Sequence, residues 1–327
     1  MRAIVVDGDG QLHWQEVNDP TCAAHQVLVD VHASAVNRAD LLQRAGHYPP
    51  PPGAPPYMGL EMCGTIRSVG NQVRGWSAGD RVLALLSGGG YAEQVAVHAD
   101  HLIALPEDWS FTRGAAVPEV FLTAFVNLFI EGQLQPDETV LIHGGGSGVG
   151  TAAIQLAKSS NCSVIATAGT NAKTERCLTL GADIAINYNE RNFAEATLEH
   201  CKGVDVIIDI SAADYLERNI RLLNPMGRLV FIALLSGTHA PLDMGQVLSK
   251  RLRLIGSTLR SRTDAEKTAI TRAFTERFWP LITGGEIVPV IDRVWPIERA
   301  EEAQQILAQN KNIGKVVLAI RKAGESL

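Results

Sequence analysis

Cysteine is scarce in this 327-residue sequence, which contains five cysteines and only 6% aromatic residues. The cysteines are odd in number, widely scattered and never as close as a C-x-x-C pair. A disulfide framework or a zinc site made of thiolates requires even pairing or closer spacing. We therefore interpret all five as reduced packing residues, at Cys22, Cys63, Cys162, Cys177 and Cys201.

The sequence also lacks a long basic run and a long apolar run. Its net charge is −6, so it has no electrostatic footprint for nucleic acid, and we expect no such partner. The most apolar stretch, residues 120–130, is about half as long as a membrane span, and we expect no membrane-crossing helix. The short apolar run between Arg2 and Asp7 is too short for the core of a signal peptide, which predicts a cytoplasmic protein.

The remaining composition is that of an ordinary globular protein, with 46% hydrophobic and 20% charged residues. At about 150 residues a domain, the length predicts two domains. Residues 1–120 contain short β segments separated by turn signals, which is typical of a compact antiparallel or barrel-like domain. The predicted strands are residues 2–6, 26–33, 63–69, 81–86, 91–97 and 102–104.

From Pro136 onward, strands alternate with helices. Short apolar runs, typical of strands buried on both faces, lie at residues 139–143, 163–167, 184–187, 204–210, 228–232 and 253–256. Helical connectors are predicted at residues 149–159, 173–180, 193–200 and 215–222. This series predicts an α/β fold class, with a Rossmann-type doubly wound parallel sheet.

The alternation ends after Gly256. Helices are predicted at about 264–282 and 298–309, and a last strand at 315–320. Because this tail does not extend the strand–helix series, we expect it to complete the first domain. The predicted domains are therefore 1–120 for substrate and catalysis, 121–257 for dinucleotide binding, and 258–327 as the return to the catalytic domain.

A glycine-rich loop at residues 144–150 joins the first strand of the series to its first helix. Glycines allow a tight turn whose N–H groups approach a phosphate, and the helix dipole stabilises the negative charge. Ser147 stands at the middle glycine of G-x-G-x-x-G, so the motif alone is weak and a plain turn is its alternative. The six-strand context favours a dinucleotide.

A hydrolase is the rival interpretation of the same loop. A serine on a strand-to-helix turn suggests a nucleophile elbow, and Asp209 and His239 follow Ser147 in the order of a triad. The elbow, however, requires a glycine at the position of Val149, whose side chain would crowd the turn. The loop therefore favours phosphate binding, and labelling of Ser147 by a fluorophosphonate would reopen the hydrolase interpretation.

The residues that follow the second strand of the series favour NADPH over NADH. NAD-specific sites place an Asp or Glu there for the ribose 2′-OH. Here Gly169 and Thr170 follow the strand with no acid, Lys173 comes next, and Tyr188 closes the third strand. A lysine beside an uncluttered turn suits a 2′-phosphate, while the alternative for Lys173 is a solvated lysine in the first turn of a helix.

The order of a β-rich domain, a dinucleotide fold and a returning tail resembles the medium-chain dehydrogenase/reductase superfamily. Segments along the whole chain resemble its zinc-free quinone oxidoreductase branch: residues 35–40, 46–53, 59–61, 78–82, 142–150 and 310–315. Ser147 and residues 259–262 are similar to the tumour-suppressor-inducible type of this branch. The resemblance implies that the first domain is a GroES-like catalytic domain.

The resemblance also implies an enzyme without metal. Zinc-dependent members carry a catalytic Cys where this chain has Asn37, and a His-Glu pair where it has Leu60 and Glu61. Asn and Leu cannot replace a thiolate and an imidazole on Zn²⁺, and residues 83–90 supply no cysteine for a second zinc site. Without a Lewis acid, reduction of an electron-poor acceptor is favoured over alcohol oxidation.

The site residues are likewise implied by the resemblance. Asn37 and Tyr48 are the predicted catalytic residues; the Tyr48 hydroxyl would bond the acceptor oxygen, or alternatively cap the proline-rich loop that follows it. Gly169, Lys173 and Tyr188 would hold the 2′-phosphate. The whole predicted cofactor set is Asn37, Tyr48, Thr123, Gly145, Gly146, Ser147, Gly148, Val149, Gly169, Lys173, Tyr188, Leu234, Leu259, Arg260 and Asn312, with no metal ligand.

These residues predict an NADPH-dependent quinone oxidoreductase that transfers a hydride directly to a quinone. One alternative is an enoyl or alkenal reductase, in which the hydride adds to a conjugated C=C bond. Another is a non-enzymatic NADPH-binding protein. Relatives pair through edge strands of the nucleotide domain, so residues 253–256 suggest a homodimer.

Overall fold

The computed structural model of the chain describes residues 1–321, which form two units. Unit 1 contains Met1–Leu122 and the segment from Arg260 onward, and unit 2 is Thr123–Leu259. The chain thus leaves unit 1 after residue 122 and re-enters it at residue 260, where the sequence predicts changes at 120 and 257. The last part of the predicted third segment, residues 322–327, lies outside the described residues.

Fifteen strands account for both units in the described chain. They are β1 (Arg2–Val6), β2 (Leu12–Glu16), β3 (Gln26–Ala35), β4 (Glu61–Val69), β5 (Arg81–Leu85), β6 (Gln94–His98), β7 (Leu102–Ala104), β8 (Thr139–His143), β9 (Ser163–Ala168), β10 (Ile184–Asn187), β11 (Val204–Asp209), β12 (Leu223–Phe231), β13 (Arg253–Gly256), β14 (Ile291–Pro296) and β15 (Lys315–Ala319).

Ten α-helices connect these strands in the described chain. They are α1 (Arg38–Arg44), α2 (Phe111–Gly114), α3 (Pro118–Phe125), α4 (Gly148–Lys158), α5 (Asn171–Thr179), α6 (Phe193–Leu198), α7 (Leu216–Leu222), α8 (Met244–Lys250), α9 (Asp264–Thr283) and α10 (Ala300–Ala308). Of these, α1, α2, α3 and α8 are absent from the sequence-based prediction, as are β2 and β14. The strand predicted at 91–97 is β6, which begins three residues later, at Gln94.

Unit 1 is built around a seven-stranded mixed sheet. Its strand order is β14-β15-β3-β4-β5-β7, with β6 paired to β3, while β1 and β2 form a separate antiparallel pair. β15 pairs antiparallel with β3 and parallel with β14. The returning segment therefore supplies two strands of this sheet, so that unit 1 is made from both ends of the described chain.

Unit 2 is a six-stranded sheet in the order β10-β9-β8-β11-β12-β13, and every pairing in it is parallel. Its central strands are apolar and buried, because helices cover a parallel sheet on both faces. The connections run from β8 outward in one direction and from β11 outward in the other. The strand order thus reverses between β8 and β11, and ligands of such sheets bind at the carboxyl ends beside this reversal.

One largely helical segment, Phe111–Glu131, with a turn at residues 115–117, is long and apolar enough to cross a membrane by length and composition. It contains α2, α3 and a π-helical turn at Val126–Glu131. It is longer than the apolar stretch seen in the sequence at residues 120–130. Its apolar window is 72% buried inside the protein, as in the core helix of a soluble protein, so it is weak evidence for a membrane span.

Candidate functional site

The glycine loop of unit 2 lies at the carboxyl end of β8, where it turns directly into α4. Gly144 has φ +70°, and a Cβ on Gly150 would lie 2.3 Å from the Gly144 carbonyl oxygen, so both positions require glycine. Ser147 is the N-cap of α4, and its Oγ accepts a hydrogen bond from the Gly150 N–H at 3.0 Å. The N–H groups of Gly148 and Val149 begin the helix and have no intrahelical acceptor, so the turn has the donors that an anion requires.

Lys173 lies beside this loop, and Tyr188 lies beside Gly169, the residue that follows β9. A Cβ on Gly146 would be 3.0 Å from both Cγ and Cδ of Lys173, so the aliphatic part of that lysine packs on the loop. A Cβ on Gly169 would be 2.5 Å from the Tyr188 hydroxyl. Lys173 is 6% exposed, so its alternative interpretation as a solvated lysine is wrong. The structure therefore brings the predicted phosphate-binding residues of unit 2 together at the ends of β8, β9 and β10.

The three remaining predicted residues of unit 2 belong to other segments of the chain: Thr123 lies in α3, and Leu234 and Leu259 follow β12 and β13. Leu234 follows β12 and is 53% exposed. Thr123 and Leu259 are the first and last residues of the unit. The Thr123 carbonyl accepts a hydrogen bond from Nδ2 of Asn127.

The serine-hydrolase triad does not assemble. Ser147 caps its own helix, while His239 is exposed and its Nδ1 pairs with the hydroxyl of Thr238. Asp209 instead accepts hydrogen bonds from the N–H groups of Ser211 and Ala212 and from the Asn219 amide. None of the three triad candidates hydrogen-bonds another, so the hydrolase alternative has no structural support.

A buried polar chain ties the strand ends together below the loop. Asn219 donates to Asp209 through Nδ2, so its Oδ1 accepts from His143 Nε2 at 2.9 Å. The opposite nitrogen, His143 Nδ1, then accepts from the hydroxyl of Thr167 at 3.0 Å. Burial lowers the pKa of His143, which keeps its ring neutral. This series of hydrogen bonds joins β9, β8 and β11, and it fixes the end of β8, which Gly144 directly follows.

Tyr48 lies in unit 1 just after α1, and Arg260 fixes its position. The Arg260 guanidinium stacks over the Tyr48 ring at 5.1 Å and donates to the Tyr48 carbonyl at 3.1 Å. It also donates to the Ser87 carbonyl and to Oε1 of Gln43. Arg260 is 5% exposed, and these three bonds join the segments around Tyr48, Ser87 and itself. The structure thus brings the predicted residues Tyr48 and Arg260 together.

The Tyr48 hydroxyl makes no hydrogen bond to any residue among 1–321, and the side chain is half-buried. Burial raises the pKa of this phenol above its usual value of 10.0. The hydroxyl is therefore protonated at neutral pH and available to donate a hydrogen bond to a ligand.

Asn37 is buried, and both ends of its side-chain amide are used within unit 1. Its Nδ2 donates to Glu61 Oε1 at 2.9 Å and to the Ala35 carbonyl, while its Oδ1 accepts from Lys315 Nζ at 2.6 Å. Lys315 Nζ also lies 2.7 Å from Glu61 Oε1. Asn37 is thus part of a buried ion-pair cluster, and it is separate from the Tyr48–Arg260 contact.

Asp40 adds a second buried carboxylate one helical turn away. Its Oδ2 accepts from the Asn37 N–H at 2.8 Å and from the Tyr91 hydroxyl at 3.0 Å, and its Oδ1 accepts from the Gly59 N–H. Burial raises the pKa of Asp40 from 3.8 to about 6, against the opposing effect of these hydrogen bonds. Asn312, the last predicted residue of unit 1, donates to the Gly314 carbonyl and shapes the turn that precedes Lys315.

The sequence-based prediction missed Lys315, Glu61 and Asp40 as members of one cluster. Asn37 and Lys315 are 278 residues apart, and no local pattern links them. The only signal in the sequence was that these residues lie in segments 35–40, 59–61 and 310–315, which resemble the family. The resemblance does not indicate that the three segments meet in the folded protein.

Two family models match the chain. The one described as an alcohol dehydrogenase GroES-like domain matches residues 23–107, and the one described as a zinc-binding dehydrogenase matches residues 148–275. Together with the parallel sheet of unit 2 and the mixed sheet of unit 1, these matches confirm the predicted fold class.

Known proteins resemble this chain along nearly its whole length. The quinone oxidoreductase of Mus musculus is 32% identical, over 92% of this chain and 91% of that protein. A solved structure of Escherichia coli quinone oxidoreductase complexed with NADPH has a TM-score of 0.85 at 28% identity, covering 97% of this chain and 98% of that one. The CurK enoyl reductase structure has a TM-score of 0.84 at 28% identity, with the same coverage of 97% and 98%.

Proposed function

Because this chain belongs to the quinone oxidoreductases of the medium-chain dehydrogenase/reductase superfamily, we propose that this oxidoreductase transfers a hydride from NADPH to a quinone. The observation that carries the proposal is the group formed by the glycine loop, Lys173 and Tyr188 at the carboxyl edge of the unit 2 sheet. Its helix N-terminus and its lysine fit the phosphates of a phosphorylated dinucleotide.

The fit rests on the chemistry of the residues present. Glycine at positions 146 and 150 lets the loop pack closely against the Lys173 side chain and against its own Gly144 carbonyl, and the start of α4 would stabilise the charge of a pyrophosphate. No acid follows β9, whereas Lys173 lies in the first turn of α5, which supports the choice of a 2′-phosphate over a 2′-hydroxyl. A nicotinamide cofactor would supply the hydride, and these residues would hold and orient it.

In unit 1, Tyr48 is the residue that we propose contacts the hydride acceptor. Tyr48 has a protonated hydroxyl without a partner in the described chain, and Arg260 holds its backbone and ring in place. A hydrogen bond from this hydroxyl to a quinone oxygen would stabilise the negative charge that develops there during reduction. We assign Asn37 a positioning role instead of a direct contact, because its amide is bonded to Glu61 and Lys315.

Turnover of purified protein tests this function. NADPH oxidation is followed with 1,4-benzoquinone, 9,10-phenanthrenequinone and an enal as acceptors, and each rate is repeated with NADH. We expect quinone turnover to exceed enal turnover, and NADPH to be preferred to NADH. Tight NADPH binding without turnover of either quinone or of the enal would favour the non-enzymatic alternative.

An enoyl or alkenal reductase is the second candidate, and the similarity to the CurK enoyl reductase structure is the observation that favours it. A conjugated C=C bond accepts the same hydride, so the two activities differ in the acceptor alone. A kcat/KM for the enal above that for both quinones would replace the first proposal with this one.

A further inference from the structure

The ammonium group of Lys315 is buried in unit 1 and fully coordinated by oxygen atoms. Its Nζ lies 2.7 Å from Glu61 Oε1, 2.6 Å from Asn37 Oδ1 and 3.1 Å from the Val36 carbonyl oxygen. Lys315 is 3% exposed and Glu61 is fully buried. An ammonium has three donors, and each of them has one partner here.

Both carboxylate oxygens of Glu61 also have hydrogen-bond partners. Its Oε1 accepts from Lys315 and from the Asn37 amide, and its Oε2 accepts from the Glu119 N–H in the first turn of α3. Removing two charges from water is expensive, and apolar residues of similar size often stabilise a fold equally well. Stability alone is therefore a weak explanation for the Lys315–Glu61 ion pair. The position of the pair in the fold suggests a different role.

The pair joins the positions at which zinc-dependent members of the superfamily carry metal ligands. By the resemblance, Asn37 stands in place of a cysteine, and Leu60 and Glu61 stand in place of a His-Glu pair. The residues present do not fit zinc, because they offer amide, carboxylate and carbonyl oxygens and an aliphatic side chain, without a thiolate or an imidazole. Within residues 1–321, no group of three His, Cys, Asp or Glu side chains is arranged to hold a metal ion.

We propose that the Lys315 ammonium is a built-in cation, which serves as the counter-ion of Glu61 where zinc-dependent relatives carry a metal ion, and which leaves no place for one. It orients Asn37, whose amide bridges the ammonium and the carboxylate, and it connects β15 to the strand ends of β3 and β4. The Lys315 ammonium balances the charge of Glu61 within unit 1 whether the acceptor is a quinone or a conjugated alkene.

Chemical rescue tests the proposal with a readout independent of activity. Lys315→Ala removes the ammonium and opens a cavity lined by Glu61, Asn37 and the Val36 carbonyl. We expect a large fall in Tm, and we expect ethylammonium chloride to recover about 2 °C at roughly ten times its Kd. Ethanol at the same concentration, which has the same size without the charge, is expected to recover none of it.

Lys267→Ala is the matched control. Lys267 is also buried, at 7% exposure, but its Nζ bonds the hydroxyl of Ser87 and no carboxylate lies within ion-pair distance among the described residues. We expect ethylammonium to leave its Tm unchanged. An equal response of the two variants, or none in Lys315→Ala, would overturn the proposal.

If Lys315→Ala does not fold, a comparison of two other variants tests the same role. Lys315→Met leaves Glu61 without its counter-ion, whereas Lys315→Met together with Glu61→Gln removes both charges. We expect the double variant to have the higher Tm of the two. Equal Tm values would contradict the charge-balancing role, and stoichiometric zinc in the parent protein, measured by elemental analysis, would contradict metal exclusion.

Discussion

At the scale of single residues, Tyr48 and Arg260 illustrate how a polar side chain is prepared for a ligand. Arg260 donates hydrogen bonds to the carbonyls of Tyr48 and Ser87 and to Gln43, which fixes the loop around Tyr48. The Tyr48 hydroxyl itself has no partner in the described chain. An ordered donor loses little conformational entropy when it binds an acceptor, which is the physical advantage of such an arrangement.

The first prediction concerns this hydroxyl. Tyr48→Phe is expected to lower kcat/KM for a quinone by about 2- to 12-fold, the effect of one hydrogen bond, while the KM for NADPH is unchanged. Because burial raises the pKa of Tyr48, the parent is expected to show no loss of kcat/KM from its ionisation below about pH 10. Tyr57→Phe is the control in the same proline-rich segment, and an equal loss there would assign Tyr48 to packing.

The second prediction concerns Lys173. Lys173→Ala is expected to weaken NADPH binding by about 10- to 150-fold and to affect NADH little, because one charge-assisted hydrogen bond to a 2′-phosphate is lost. Calorimetric titration of each cofactor measures both effects. Lys158→Ala is the control, since Lys158 is an exposed lysine of unit 2 that pairs with Asp183. Equal losses for both cofactors would contradict the assignment.

Single residues also mark where sequence-based prediction fails. The phosphate-binding residues could be predicted because glycine spacing and a missing acid are local patterns, and the structure places them together. The sequence could not predict the cluster of Lys315, Glu61 and Asp40. Each is an ordinary charged residue in the sequence, and they meet only because segments distant in the sequence fold together. The internal bonds of Asn37 were hidden for the same reason, since its two charged partners come from different strands.

At the scale of elements, the strands of unit 2 were predictable to within one or two residues at most of their ends. Their apolar runs are dictated by burial on both faces of the sheet. β2 was missed because its residues alternate between partly and fully exposed, so it carries little hydrophobic signal. α1 is too short for helical periodicity, and its start is set instead by Asp40, which accepts the Asn37 N–H.

The third prediction concerns the pH dependence of this helix start. The pKa of Asp40 is about 6 in the folded protein and about 3.9 when unfolded, so the folded state binds more protons between these values. Stability from this group is therefore lost as pH rises from about 4 to 6, by about 3 kcal/mol, and is constant above that range.

Denaturant unfolding across this pH range measures the effect. Asp40→Asn cannot titrate, so the stability of the parent relative to this variant is expected to fall as pH rises through the window. Asp183→Asn is the control of opposite sign, because a hydrogen bond with Lys158 helps to lower the pKa of Asp183. Parallel pH profiles for the parent and Asp40→Asn would show that Asp40 titrates normally.

At the scale of the whole molecule, β13 is an edge strand whose outer side is unpaired among residues 1–321. The Ser257 N–H points inward to the Phe231 carbonyl, so by alternation the Gly256 N–H points outward. An edge of this kind can pair with a second copy of the chain, and we propose that it carries the homodimer contact.

The fourth prediction tests this edge. Gly256→Pro removes one outward donor without breaking the ladder to β12, and a side chain at this position meets open space. Sedimentation is expected to show a dimer for the parent and weaker association for Gly256→Pro. Gly256→Ala keeps the N–H and is expected to behave as the parent. A parent that sediments as a monomer would refute the dimer.

The division of unit 1 between two distant segments has a consequence for how the protein is made. Residues emerge from the ribosome in order, so β3 and β4 are synthesised long before β15, which lies between β14 and β3 in the finished sheet. Until then Glu61 has no ammonium beside it and must stay hydrated. Synthesis of Lys315 is thus the event that allows this carboxylate to leave water. In nascent chains halted before Lys315, we expect residues 1–122 to be sensitive to protease and residues 123–259 to be already resistant.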